Sequence, residues 1–290
     1  MTSGTLNLVK TAAAGWWNDR AMSLGASISF FTVFSLAPML LAAISVAGLL
    51  FGRQAAQGAV VAELGGLAGD DAAQAIDAMI ANVSIFGTGA IGAVIGVVTF
   101  LILATGAFVE IQDSLNLIWK AKPSHTGILA FLRTRVLSLA LVIGIGFLLL
   151  VSLVLDAGLG AAGAYLEGAF PAAVTMLGIL NSLVALVMAT LLFAAIFKVL
   201  PDVRLAWRDV WTGAFVTGVA FTLGKVLIGL YIGRSGVAST FGAAASVITI
   251  LLWIYYSSLI LLFGAEFTKA YAETHGSRVG RHGERREPAE

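Results

Sequence analysis

The sequence contains no cysteine. Disulfides and thiolate metal sites are therefore excluded. Charge is also scarce. Asp, Glu, Lys and Arg supply 11% of the 290 residues, against about 25% in a soluble domain. Only three histidines occur, His125 in a loop and His275 and His282 near the C-terminus, none spaced with acids as metal ligands are. No glycine-rich loop precedes a Lys-Ser or Lys-Thr pair, so no built-in ATPase is encoded. No basic, aromatic-rich soluble surface offers itself to nucleic acid. Proline is limited to 5 residues while glycine reaches 33, a balance that suits helices packed closely through small residues. The expectation is a protein that is not an enzyme and holds no cofactor or metal.

What the sequence has is long apolar runs, and 59% of its residues are hydrophobic. The last run is the clearest. From Ala243 to Phe263 there is no charged residue, and at about 1.5 Å per residue this stretch matches the roughly 30 Å of a bilayer core. Trp253, Tyr255 and Tyr256 stand in its middle, where lipid-facing positions rarely carry polar-tipped aromatics, so the helix should turn a polar face inward. Six such spans are expected, near residues 24–50, 88–109, 136–155, 172–197, 210–232 and 243–267. Of the 17 lysines and arginines, 14 fall in the N-terminus, the loops after spans two and four, and the C-terminus. Arg53 and Arg234 alone fall on the other side, and Lys225 lies within span five. The positive-inside rule then puts both termini in the cytoplasm.

The expected fold is thus all-α, a polytopic membrane protein with six transmembrane helices. An N-terminal helix (residues 1–20) lies at the interface or caps the bundle, with Leu6, Val9, Ala13, Trp16 and Trp17 near one face. The transmembrane domain covers 21–272, and a disordered cytoplasmic tail covers 273–290. Between spans one and two, apolar positions on either side of the glycines at 65, 66 and 69 indicate an extracytoplasmic helical hairpin carrying Glu63, Asp70, Asp71 and Asp77. The glycine pairs 48/52, 92/96 and 229/233 have the four-residue spacing of close helix contacts.

Lys225 is the sharpest site candidate. It lies about 22 Å into span five, and an ionisable group within the membrane is costly and points to function. It would bind an anionic group or line a polar cavity. The bland readings are snorkelling to the outer interface or a structural pair with Asp156. A second cluster is Glu110, Gln112, Asp113 and Asn116 at the end of span two, with Glu266 at the same level in span six. Facing carboxylates can bind a cation or relay protons, but pairing with Arg133, Arg135, Lys198 or Arg204 is the favoured reading, because interfacial charges are cheaper than midplane ones. Asn181, Ser257 and Ser258 can hydrogen-bond between helices, at about 0.6 kcal/mol each. Pro38 frees a backbone carbonyl one turn earlier in span one. In LPDVRLAWRDV, Pro201 ends span four, Asp202 and Arg204 form a tight connection, Trp207 sits at the interface, and Asp209 complements the dipole of the following helix. That motif reads as a rigid elbow.

Three stretches together carry a resemblance: AMSLGASISFFTVFSLAP at 21–38, FKVLPDVRLAWRDVWTGA at 197–214, and FGAAASVITILLWIYYSSLILLFGAEFTKAYA at 241–272. They resemble the YihY/virulence factor BrkB family of bacterial inner-membrane proteins, over roughly residues 10–273. The resemblance implies a six-helix inner-membrane protein with no settled activity and no catalytic residues to carry over. Some members bear a ribonuclease BN label, which the missing His/Asp constellation here does not support. The expected function is a transporter or lipid-handling protein with a polar cavity near Lys225. A non-transporting envelope scaffold is the alternative. The expected partners are membrane lipids and a small-molecule or lipid substrate, with self-association left open.

Overall fold

The structure is a computed structural model that describes residues 2–52, 90–121, 171–234 and 245–278 continuously, with single residues or short runs between 54 and 78 and between 136 and 158. The described residues form six long helices and no strand: α1 (Thr2–Asn18), α2 (Ala21–Phe51), α3 (Ala90–Ile118), α4 (Pro171–Val199), α5 (Trp207–Arg234) and α6 (Ala245–Thr274). Helices α2 to α6 fall on five of the six expected spans. On the remaining one, Val136, Leu141, Leu148, Ser152 and other scattered residues are helical. Three described helices are long and apolar enough to cross a membrane, over Thr175–Val199, Trp207–Ile228 and Val247–Thr274, and Ala21–Leu36 is a shorter apolar stretch within α2. Their exposed faces carry Met176, Leu223, Leu227 and Phe34, side chains that suit lipid rather than water.

Helix α6 is the hub. It packs against α1, α2, α3 and α5, while α2 pairs with α3 and α4 pairs with α5. Its midpoint aromatics serve this role. Tyr255 and Leu259 lie against Gly25 of α2, and Tyr256 and Ile260 lie against Gly224 of α5. The inward polar face expected of this helix is therefore an aromatic face seated on glycines of its neighbours.

The α5–α6 seam is closer still. Gly213 and Thr217 on α5 meet Thr268 and Gly264 on α6 in reciprocal fashion. Each threonine occupies the space where the opposite glycine would carry a Cβ. Each also donates its hydroxyl to a carbonyl of its own helix, Thr217 Oγ1 to Gly213 O at 2.7 Å and Thr268 Oγ1 to Gly264 O at 2.6 Å. Both hydroxyls face the seam with their protons already donated, so the two backbones approach with little desolvation cost.

Helices α3 and α6 outrun the expected apolar spans, ending at Ile118 and Thr274. The polar turns stay helical because they are held by partners at one end of the bundle. The main hydrophobic core sits there too, built on Leu115, Ile118, Phe197, Leu205, Val210 and Leu262. Helix α1 docks on the same end through Leu8 and Ala12, which pack on Phe267 and Ala270. Trp16 donates from Nε1 to Leu259 O at 3.2 Å. Leu6, Val9 and Trp17 of α1 are exposed, so the helix has two apolar faces, one on the bundle and one free for the interface. A turn at Asp19 and Arg20, the latter with φ +53°, joins α1 to α2.

Gly52 closes α2 with φ +86°, its N–H bonding Gly48 O at 3.1 Å, and nothing lies within 4 Å of where a Cβ would stand. The 48/52 pair is therefore a helix stop rather than a packing contact. Helix α2 runs unbroken through Pro38. Of the expected outer hairpin, Gln54, Ala55, 57–59, 61–62 and 77–78 are described as helical, and Gln57 Nε2 donates to Asp77 Oδ1 at 2.9 Å. Glu63, Asp70 and Asp71 lie outside the described residues, as do the glycines at 92 and 96 where their side of the helix is concerned.

Candidate functional site

Lys225 follows Trp207 by 18 residues on α5, about 27 Å along the helix axis. Its side chain lines a partly open cavity of about 380 Å³ between α2, α3, α4, α5 and α6, with Leu148 and Ser152 from the segment between α3 and α4. The wall is mostly apolar. Phe193, Phe221 and Trp253 form a continuous aromatic surface, with ring centroids 5.6 and 6.2 Å apart. Thr32, Ser257 and Ser258 are among its few polar members, and each hydroxyl already donates to a carbonyl of its own helix. Lys225 is the one charged residue on the described wall, and among the described residues it has no ion pair or hydrogen bond. Asp156, its suggested structural partner, lies outside the described residues. Asn181 is half-buried on α4, away from this wall, and has no hydrogen bond among the described residues.

The carboxylates separate into two groups. Glu110 on α3 accepts from Ser27 Oγ on α2. Six residues on, Asn116 and Asp202 clasp each other: Asn116 Nδ2 donates to Asp202 Oδ2 at 3.0 Å, and the Asp202 N–H donates to Asn116 Oδ1 at 2.8 Å. Gln112 Nε2 adds a longer bond to Asp202 at 3.4 Å. The connection after Pro201 is thus fastened to α3. Lys198 locks it from inside, donating to Leu205 O with its ammonium 5.1 Å from the Trp207 ring. Arg204 and Trp207 are exposed, and Arg204 O accepts from Arg278 at 3.4 Å.

Asp113 is an exposed residue past the apolar part of α3. Partial burial of its carboxyl, then the negative charges of Glu110 and Asp202, raise its pKa. A raised acid pKa means the folded state binds the proton more tightly, so acidification through that pKa stabilises the fold and neutral pH removes the benefit. Asp113→Asn should therefore raise Tm at pH 7, by on the order of 1 °C given solvent screening. The gain should vanish near pH 4, and thermal unfolding at the two pH values checks it.

Glu266 stands apart from that group. It is 3% exposed on α6 and faces Gly15 of α1. Lys269 bridges it at 3.5 Å to Asp19 at 3.8 Å. Expected to face the α3 acids, it instead belongs to the α1–α6 junction, a contact across 247 residues that spacing along the chain does not reveal.

Further contacts carry no signal in the sequence. Asp209 has no exposed surface. Its Oδ2 accepts from the Ser277 N–H at 3.1 Å and from Ser277 Oγ at 2.6 Å. Gly276 lies so close that a Cβ there would stand 2.8 Å from the Asp209 carboxyl carbon. Arg208 donates to His275 O at 3.0 Å, and the Arg278 guanidinium lies 5.1 Å from the Trp119 ring. The turn at 275–278, assigned to the tail by its polarity, is a clasp on the start of α5.

The family model described as Virulence factor BrkB matches residues 12–289. A UPF0761 membrane protein of Alteromonas mediterranea is 31% identical over 198 residues, covering 68% of this chain and 65% of the relative. One from Pseudomonas paraeruginosa is 34% identical over 177 residues, covering 59% of this chain and 40% of the relative. A third, from Rhodospirillum centenum, is 26% identical over 280 residues, covering 94% and 59%. The chain therefore spans about 40–65% of the length of these relatives. No solved structure matches.

Proposed function

The chain belongs to the virulence factor BrkB family of membrane proteins, and on that premise we propose that it handles an anionic amphiphile within the bilayer, as a transporter or lipid-handling protein rather than an enzyme. The observation that carries this reading is Lys225, the one charged residue on the described wall of a mostly apolar cavity within the bundle. An ammonium in such a place, without a partner among the described residues, is costly unless a ligand or water meets it. The volume of about 380 Å³ lies within the 300–1,000 Å³ of ligand pockets. It suits one acyl chain with an acidic head better than a whole diacyl lipid or a fully polar metabolite. Six spans, both termini cytoplasmic and residence in the bacterial inner membrane complete the proposal. The charge count supports it, as do the contacts that gather Lys120, Lys198, Arg208, Lys269 and Arg278 at one end of the bundle.

The test is thermal unfolding of the purified full chain with a single-chain anionic amphiphile, a neutral one of equal length and no addition. At 100-fold over Kd a ligand that binds only the native state contributes about 2.7 kcal/mol. The anionic probe should raise Tm of wild type and leave Lys225→Met unchanged, with the neutral probe weak in both. Equal shifts in wild type and variant would remove Lys225 from the site. Loss of expression in Lys225→Ala that Asp156→Ala restores would make the lysine a structural pair and overturn the reading.

A further inference from the structure

A second hollow, of about 500 Å³, opens at the charged end of the bundle between α1, the end of α3 and the last turns of α6. Its two sides have opposite chemistry. One carries Trp119, Lys120 and Arg278, with the Arg278 guanidinium over the Trp119 ring. The other carries Glu266 and Glu273, two turns apart on one face of α6. Lys269 also lines the hollow, engaged between Asp19 and Glu266 Oε2, and Glu273 and Arg278 have interactions of their own.

Each side contains a buried polar atom without a partner among the described residues. Trp119 is 5% exposed, and its Nε1–H has no acceptor. Glu266 is 3% exposed, and its Oε1 has no donor. Buried polar groups are nearly always hydrogen-bonded, so each orphan asks for an explanation. Here the orphan donor lies on the cationic side and the orphan acceptor on the anionic side.

We propose that this hollow is a binding site for a zwitterion that carries a phosphate and a primary amine. The phosphate lies toward Lys120, Arg278 and the Trp119 N–H. The ammonium lies toward Glu266 and Glu273. The site is separate from the Lys225 cavity: no residue lines both. Exposed Trp17 on α1 and Trp207 on α5 flank this end, as aromatics do at headgroup level. The same chemistry is offered by an aminophospholipid headgroup and by a free aminoalkyl phosphate.

Two preparations of the full chain distinguish the sources. In detergent, O-phosphoethanolamine is titrated against inorganic phosphate and ethanolamine, with unfolding temperature as readout. In nanodiscs, phosphatidylethanolamine is compared with phosphatidylglycerol. Trp119→Phe keeps the ring and removes the N–H. Lys120→Ala alters an exposed residue and serves where Trp119→Phe does not fold. A free ligand predicts that O-phosphoethanolamine binds at least tenfold tighter than either half, with a tenfold rise in Kd in each variant. A lipid ligand predicts stabilisation by phosphatidylethanolamine discs alone, lost in both variants. No preference for the zwitterion in either preparation overturns the proposal. So does binding that both variants retain, or binding that Lys225→Met abolishes while the cleft variants keep it.

Discussion

Replacing Gly264 with alanine should lower Tm by about 4–16 °C and reduce the monodisperse yield of the protein. A Cβ at Gly264 would overlap Thr217 Oγ1 and stand 2.8 Å from its Cγ2 and 2.9 Å from its Cβ. Thr217 cannot simply rotate away, because its hydroxyl is bonded to Gly213 O and its β-branched side chain has few helical rotamers. Overpacking of this kind costs about 1–3 kcal/mol, occasionally more, and the lost hydroxyl bond adds about 1 kcal/mol. At 2–4 °C per kcal/mol that gives the expected fall. The reciprocal change Gly213→Ala should behave alike, since its Cβ would overlap Thr268. Thr217→Ala should rescue Gly264→Ala only in part, because the Cβ of residue 217 stays in the way. Gly178→Ala is the control: nothing lies within 4 Å of its Cβ position on α4, and alanine is the better helix former. If Gly264→Ala were as stable as Gly178→Ala, the seam would not be packed as described.

That seam shows what apolar pattern and spacing can and cannot reveal. The long runs give the helices because burial in lipid leaves the backbone no other way to satisfy itself. The close contacts are harder to read. A search for paired glycines finds 48/52, where Gly52 proves to be a helix stop. It misses the Gly-x-x-x-Thr pairs at 213/217 and 264/268, because a threonine whose hydroxyl proton is held by its own helix packs against glycine as a small residue does. The candidate site was legible in the same uneven way. Lys225 stands out because a charge inside an apolar run has no local reason to be there. The cavity beside it does not, since Ile28, Phe193, Phe221 and Trp253 come from four helices. In the sequence Asp202 reads as part of an elbow. That the elbow fastens to Asn116, 86 residues earlier, belongs to tertiary structure alone.

Asp209→Ala should release the chain end from the bundle. In the wild type one carboxylate oxygen holds both the N–H and the hydroxyl of Ser277, and its charge lies in the first turn of α5, where the helix dipole favours an anion. Hydrogen bonds to a charged acceptor contribute about 1.5–3 kcal/mol each. Removing the acceptor also leaves the Ser277 N–H without its partner, and a cavity where no water reached before. A loss of about 3 kcal/mol is expected, most of it local to residues 275–278. Trypsin should then cut after Arg278 at least tenfold faster, read by mass spectrometry against cleavage after Arg53 as an internal standard. Asp209→Asn should fall between the two, because an amide oxygen can accept the same bonds without the charge. Ser277→Ala should also fall between, since it removes the 2.6 Å hydroxyl bond and keeps the backbone one. Cleavage after Arg278 unchanged in Asp209→Ala would mean that Arg208 and Arg278 hold the turn by themselves, through His275 O and Arg204 O. The buried carboxylate would then stabilise only the start of α5, through the helix dipole.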